Sequence, residues 1–133
     1  MIEKTQIPRF WRLEDTTRPW TTNAERGWHY HKRAQRVKET REVFGLLARQ
    51  QRVPKMEAVR IDVVPLAINR RGIQDVAACY PAVKAAIDGL VDAGVVADDD
   101  PEHVKAICFY PTQVIGRDGL RVVITEATAS DEP

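Results

Sequence analysis

The clearest alternation of apolar and polar residues lies in the middle of the chain, at residues 58–68. Val59, Ile61 and Val63 alternate there with charged residues, which is the pattern of a half-buried strand. Because proline has no backbone N–H to donate, Pro65 predicts a bulge or a sheet edge near the end of this strand. Shorter apolar segments predict three further strands at residues 8–13, 105–114 and 119–126, and the glycine-rich residues 116–119 predict a hairpin between the last two.

Two longer segments have helical periodicity. Across residues 31–50 the apolar side chains recur on one helical face, and basic side chains occupy the other. Gly45 weakens this helix without ending it. The second helix begins near Pro81, which suits a first helical turn, and ends at Gly94, which suits a C-terminal cap. An acidic turn follows at residues 97–102.

The order of these elements is strand, helix, strand, helix, strand, strand. It predicts an α+β fold with a mixed sheet of about four strands and two main helices. Residues 1–133 are expected to form a single domain with its core at about residues 8–127, and the C-terminal tail is expected to fray. The loop before the first helix is expected at residues 16–23, where Thr, Pro and Asn are dense.

The composition excludes several classes of protein. Of the 133 residues, 44% are hydrophobic and 29% are charged, which is ordinary globular usage. No apolar run reaches the roughly 18–20 residues of a membrane span, and charged residues interrupt any signal-peptide core near the N-terminus. Cys79 and Cys108 are too few for a disulfide framework and lack zinc-ligand spacing. We therefore expect a cytoplasmic protein without a membrane partner.

The charge is distributed unevenly along the chain. Residues 1–57 contain 13 Lys/Arg and 7 Asp/Glu, whereas residues 58–133 contain 7 Lys/Arg and 12 Asp/Glu. A basic half is typical of a protein that binds a polyanion, and acidic clusters are typical of divalent-cation sites. The alternative is a basic helix face that is simply solvated.

The residues with the strongest chemical character surround the second helix. Lys84 and Asp88 are four residues apart and share one helix face. Asp75 precedes the helix, and three consecutive acids, Asp98 to Asp100, follow it. If the acidic turn folds back along the sheet to meet Asp75, two or more carboxylates converge beside a lysine, which suits Mg²⁺ and phosphodiester chemistry. Taken separately, each feature is most often only a solvated turn, a cap residue or a weak surface ion pair, and their combined spacing is what favours the chemical interpretation.

The spacing of these residues resembles the RusA-type Holliday junction resolvases. Lys84 matches the lysine of that family, Asp88–Gly89–Leu90 matches its helix signature, and Asp98–Asp99 matches its acidic pair. Residues 120–126 are similar to its final strand, and residues 18–23 to its early DNA-contacting loop. The resemblance covers about residues 19–126 and is most specific in the middle third.

One family position differs. The first metal-binding Asp of the family falls on Asp75, but the second falls on Ala77 and the following Asn on Ala78. The missing ligand is then supplied by another acid (Asp98, Asp100 or Asp62) or by water, or else the protein binds junctions and cuts them poorly.

The resemblance implies a small homodimeric endonuclease that resolves Holliday junctions with Mg²⁺ or Mn²⁺ as cofactor. Its catalytic residues would be Asp75, Lys84 and Asp99, and its metal ligands Asp75, Asp98 and Asp99. Two alternatives stay open: a non-catalytic junction-binding protein, and a dimeric scaffold without nucleic-acid chemistry. The residues expected to contact branched DNA are Asn23, Arg26, Lys32, Arg33, Arg36, Arg70 and Arg71.

Aromatic and basic residues are interleaved just before the first helix. His29 and His31 flank Tyr30, with Trp28 and Lys32 on either side. This pattern suits base stacking and phosphate contacts. A two-histidine metal site and an ordinary loop are the alternatives.

Overall fold

The computed structural model describes residues 7–127 and has the predicted α+β architecture with one mixed sheet. The sheet order is β1-β5-β2-β3, and β4 pairs with the end of β2. The predicted tail beyond residue 127 lies outside the described residues. The elements are β1 (Phe10–Asp15), α1 (Thr22–Glu25), α2 (Tyr30–Gln50), β2 (Val59–Ala67), the 3-10 turn η1 (Arg70–Gly72), α3 (Tyr80–Asp92), β3 (Val104–Phe109), β4 (Gln113–Val114) and β5 (Gly119–Glu126).

Both main helices begin and end within two residues of their predicted limits. Gly45 lies inside α2, and Gly94 caps α3 with a φ of +79°. The Gly94 and Val95 N–H groups donate to the carbonyls of Val91 and Leu90, so this helix ends in the glycine cap that the sequence predicts. The predicted loop at residues 16–23 overlaps the first two residues of α1, which begins at Thr22.

The predicted hairpin at residues 116–119 is wrong. β5 lies between β1 and β2 and is antiparallel to both, whereas β3 and β4 lie on the opposite side of β2 and run parallel to it. The connection from β4 to β5 therefore passes around the carboxyl end of β2. It is fixed there by hydrogen bonds of 3.0 Å, from the Ile115 N–H to the Ala67 carbonyl and from the Ile68 N–H to the Asp118 carboxylate. A turn motif in the sequence does not indicate which strand of the sheet the following strand pairs with.

β2 is a central strand, but its pairing with β3 ends at Val63 and its pairing with β4 begins at Leu66, so Pro65 lies at a local gap on that side, in agreement with the edge predicted near the end of the strand. The carbonyls of Val63 and Ala67 face β3 and β4, accepting from the N–H groups of Tyr110 and Ile115. The backbone N–H and C=O groups of every second residue face the same neighbouring strand, so Pro65 faces the same side as Val63 and Ala67. Its missing N–H therefore lies at the break between β3 and β4. The single predicted strand at residues 105–114 is accordingly two short strands.

The core lies between the sheet and one helical layer. Alternate residues of the central strands, such as Ile61 and Ile124, are fully buried against α2 and α3. The two helices cross closely at Gly45 and Gly89, and a Cβ built on Gly89 would overlap the carbonyl oxygen of Arg41. The Arg41–Asp92 ion pair links α2 and α3 at the edge of this crossing. Within residues 7–127, no helix has the length and apolar character needed to cross a membrane.

Candidate active site

An open cleft of about 400 Å³ lies where the first turns of α3 meet α1 and α2. We call it the α3 cleft. Its walls combine basic, acidic and aromatic side chains that come from three separate elements. The lining residues are Thr22, Glu25, Arg33, Val37, Tyr80, Pro81 and Lys84.

Two carboxylates converge on the ammonium group of Lys84 at the rim of this cleft. The Nζ atom lies 3.1 Å from Asp88 Oδ1, one helical turn along α3, and is also hydrogen-bonded to Asp99 Oδ2. The Lys84 side chain is 44% exposed, and each carboxylate side chain is 30% exposed. The acidic turn therefore folds back to Lys84 on α3, and a lysine with two acids faces solvent.

Backbone hydrogen bonds hold the acidic turn in this position. The Asp98 carboxylate accepts from the Asp99 N–H at 2.7 Å, and the Asp100 carboxylate accepts from the Glu102 N–H at 3.0 Å. A hydrogen bond with the His103 ring at 2.6 Å holds the pKa of Asp100 below its ordinary value. Asp98 and Asp100 thus stabilise the turn, which leaves Asp99 as the acid that it presents to Lys84.

Asp75 lies in the loop that connects η1 to α3 and is exposed. Its carbonyl accepts from the Ala78 N–H at 3.0 Å, and the Ala78 carbonyl accepts from the Thr22 N–H at 3.0 Å. The Gln74 side chain donates to the Pro19 carbonyl at 2.8 Å. This loop therefore positions α1 beside the start of α3, but Asp75 does not line the α3 cleft.

Ala77 adopts the left-handed backbone region, with a φ of +68°. This region costs an alanine about 1 kcal/mol, whereas glycine enters it freely. We expect Ala77→Gly to raise the free energy of unfolding by about 0.5–1 kcal/mol in urea denaturation. Ala34→Gly, at an exposed position inside α2, is the control and should lower it by about 1 kcal/mol. A loss of stability in Ala77→Gly would contradict the left-handed assignment.

The predicted DNA-contacting residues fall into three groups. Arg33 is exposed and lines the α3 cleft. Arg36 packs over the ring of Trp20 at 5.2 Å, and Lys32 lies over Trp28 at 4.7 Å. Asn23 is exposed within α1 and Arg26 just after its last residue, and Arg70 and Arg71 are exposed on η1; all four lie outside the cleft.

The described residues do not form a closed metal site. Within residues 7–127 no three His, Cys, Asp or Glu side chains are grouped closely enough to hold an ion. Mg²⁺ commonly binds through one or two carboxylates while it keeps water and takes substrate phosphate oxygens. The pair of acids at Lys84 fits an open site of that kind only.

Glu25 is a residue of the α3 cleft that sequence reasoning missed. Its carboxylate accepts from Trp20 Nε1 at 2.9 Å, which fixes it against the buried Trp20 ring. Nothing in the local sequence distinguishes this acid from a solvated one, because its place in the cleft depends on the docking of α1 against α3.

No protein-family model matches the chain, and no curated protein matches it significantly.

Proposed function

We propose that this protein is a metal-dependent, structure-selective endodeoxyribonuclease that cleaves branched DNA. The observation that carries the proposal is the Lys84 ammonium group, held between the carboxylates of Asp88 and Asp99 at the rim of a cleft that also contains Arg33. In metal-dependent phosphodiester hydrolysis, carboxylates can hold the divalent ion while a cationic side chain neutralises the phosphate.

The residues of the chain divide the chemistry between them. Arg33 and Lys84 neutralise the phosphate that enters the cleft, and the two carboxylates keep Lys84 oriented towards it. Asp99 is proposed to hold Mg²⁺ or Mn²⁺, with Asp75 and Asp98 as the further candidate ligands. When bound, the ion supplies an activated water and stabilises charge on the phosphate.

The resemblance to the RusA-type resolvases supports the substrate and the assembly that we propose. A four-way junction is two-fold symmetric, so a homodimer would present one cleft to each of two equivalent strands. We propose that Asn23, Arg26, Lys32, Arg36, Arg70 and Arg71 contact the arms of the junction.

A second candidate function is junction binding with little or no cleavage. Two observations favour it: Ala77 stands where the family has a metal-binding acid, and the described residues form no closed metal site. The basic residues that bind DNA do not depend on that acid.

Incubation of the protein with a synthetic four-way junction separates the two candidates. We expect symmetric nicks in Mg²⁺ and none in EDTA, with a dimeric mass in light scattering. Salt-sensitive binding without nicks would support the second candidate. Absence of both binding and nicks would overturn both.

Arg33 offers a direct test of the DNA interface. Arg33→Ala should weaken junction binding and reduce the slope of log K against log[salt] by about one, because one phosphate contact is lost. Arg36→Ala would be ambiguous, since Arg36 also packs on Trp20. Arg52→Ala is the matched control: Arg52 is exposed just beyond the far end of α2, about 28 Å from Arg33 at 1.5 Å per residue. An equal loss of slope in both variants would indicate that the cleft is not the DNA site.

A further inference from the structure

Three consecutive aromatic rings are exposed together at the start of α2. The ring centroids of Tyr30 and His31 are 3.9 Å apart, and those of His29 and Tyr30 are 4.7 Å apart. His29 caps the helix, because its Nδ1 accepts from the His31 N–H at 3.3 Å. All three residues are exposed, with Tyr30 at 63%. We call His29, Tyr30 and His31 the ring cluster.

The ring cluster adjoins a basic groove that leads into the α3 cleft. A groove of about 460 Å³ runs along α2 from Tyr30 past Lys38 to Arg41. Arg33 and Val37 line both this groove and the α3 cleft. Aromatic faces, cationic side chains and the Lys84 site therefore follow one another along a single surface.

We propose that the ring cluster stacks on unpaired bases of the DNA substrate, so that the preferred substrate carries a single-stranded segment beside the branch point. This inference rests on the proposed function, since it presumes that DNA occupies the α3 cleft. Bases within a duplex are stacked on each other and offer no free face, whereas an unpaired base can lie on an aromatic ring. Arg33 and Lys38, which line the same groove as Tyr30, would neutralise the phosphates of the same strand.

The local structure favours a ligand over a packing role for these rings. Tyr30 and both histidines are absent from the buried core cluster, whereas Trp20 and Trp28 belong to it or pack against it. Lys32 lies over Trp28, which leaves the ring cluster itself facing solvent. Arg33 and Lys38 line the same groove as Tyr30, and this positive charge favours a polyanion such as nucleic acid.

The test compares two single-stranded probes of equal length and charge, a thymidine 20-mer and an abasic 20-mer, by fluorescence anisotropy in EDTA. The parent protein should bind the thymidine probe about fivefold more tightly or better, as expected for at least one stacked base. Tyr30→Leu should remove most of this preference and leave the salt slope unchanged, and Tyr30→Phe should retain it. Phe10→Leu is the matched control, because Phe10 is an exposed ring on β1 that lines neither the groove nor the α3 cleft.

Equal affinity of the parent protein for the two probes would overturn the inference. A Tyr30→Leu variant whose molecular mass changes, while its ratio of affinities for the two probes does not, would also overturn it. That result would assign the rings to contact with a second copy of the chain. Cleavage of a fully paired junction in Mg²⁺ does not depend on the ratio of affinities for the two single-stranded probes. A parent that cuts junctions but does not distinguish the probes contradicts the inference alone, whereas a parent that distinguishes the probes but never cuts contradicts the proposed nuclease alone.

Discussion

Asp99→Asn is expected to slow the cleavage of a four-way junction by at least a hundredfold. The change keeps the shape of the side chain but removes one of the two negative charges beside Lys84. A hundredfold loss corresponds to about 2.7 kcal/mol of transition-state stabilisation. Junction binding should persist or tighten, because less negative charge then faces the phosphates. Single-turnover cleavage and anisotropy in Ca²⁺ measure the two effects separately.

Asp92→Asn is the matched control for that experiment. Asp92 lies on the same helix, but its partner is Arg41, whose hydrogen bonds hold the pKa of Asp92 below its ordinary value. Its loss should lower stability modestly, since the pair is 40–47% exposed, and should leave cleavage at the parent rate. If folded Asp99→Asn also cuts at the parent rate, Asp99 has no catalytic role.

The variant Asp75→Asn tests whether the catalytic acids are those predicted by the family resemblance or those beside Lys84 in the observed cleft. Asp75 matches a metal-binding position of the family but does not line the α3 cleft. An effect as large as that of Asp99→Asn would indicate that the loop before α3 moves to the cleft when DNA and metal bind. A parent-like rate would limit the catalytic acids to those beside Lys84.

Gly89→Ala is expected to lower the free energy of unfolding by about 3 kcal/mol. The added Cβ would overlap the carbonyl oxygen of Arg41 and lie 3.0 Å from the backbone nitrogen of Gly45. Both obstacles are helix backbone, so α2 and α3 would have to separate, and overpacking of this kind typically costs 1–3 kcal/mol or more. Urea denaturation measures the loss.

The control for the helix crossing is Gly27→Ala. A Cβ on Gly27 would meet its nearest atom, the Ala24 carbonyl oxygen, at 4.0 Å, so stability should change by less than 0.5 kcal/mol. Equal stability of the Gly89 and Gly27 variants would show that the helices do not approach as closely as described. Because α3 carries Lys84 and α2 carries Arg33, the Gly89 variant should also disturb the cleft.

The parts of the fold that depend on local pattern were predictable from the sequence. Helical periodicity located α2 and α3, strict alternation located β2, and Gly94 marked a cap that the structure contains. Sheet order was not predictable in the same way. The placement of β5 between β1 and β2 depends on the long-range burial of residues such as Val122 and Ile124. The glycines of the turn at residues 116–119 do not indicate this pairing.

The candidate site was partly predictable for a similar reason. The i,i+4 spacing of Lys84 and Asp88 fixes their contact on one helix, and that contact is present. The approach of Asp99 needed the acidic turn to fold back, which the spacing allowed but did not require. The cleft itself brings Glu25 and Arg33 together with Lys84 from three different elements. It arises from tertiary packing, which no local sequence pattern indicates.

The position of β5 has a consequence for how the chain acquires its structure during synthesis. β1, at residues 10–15, pairs with β5, and β5 also joins β1 to the central strand β2. The ribosome therefore makes β1 more than 100 residues before its neighbour in the sheet exists. Such non-local pairing slows folding and leaves hydrophobic strands exposed to aggregation in the meantime. We expect the nascent chain to acquire its helical pair early and to close the sheet only after residue 126 has left the exit tunnel.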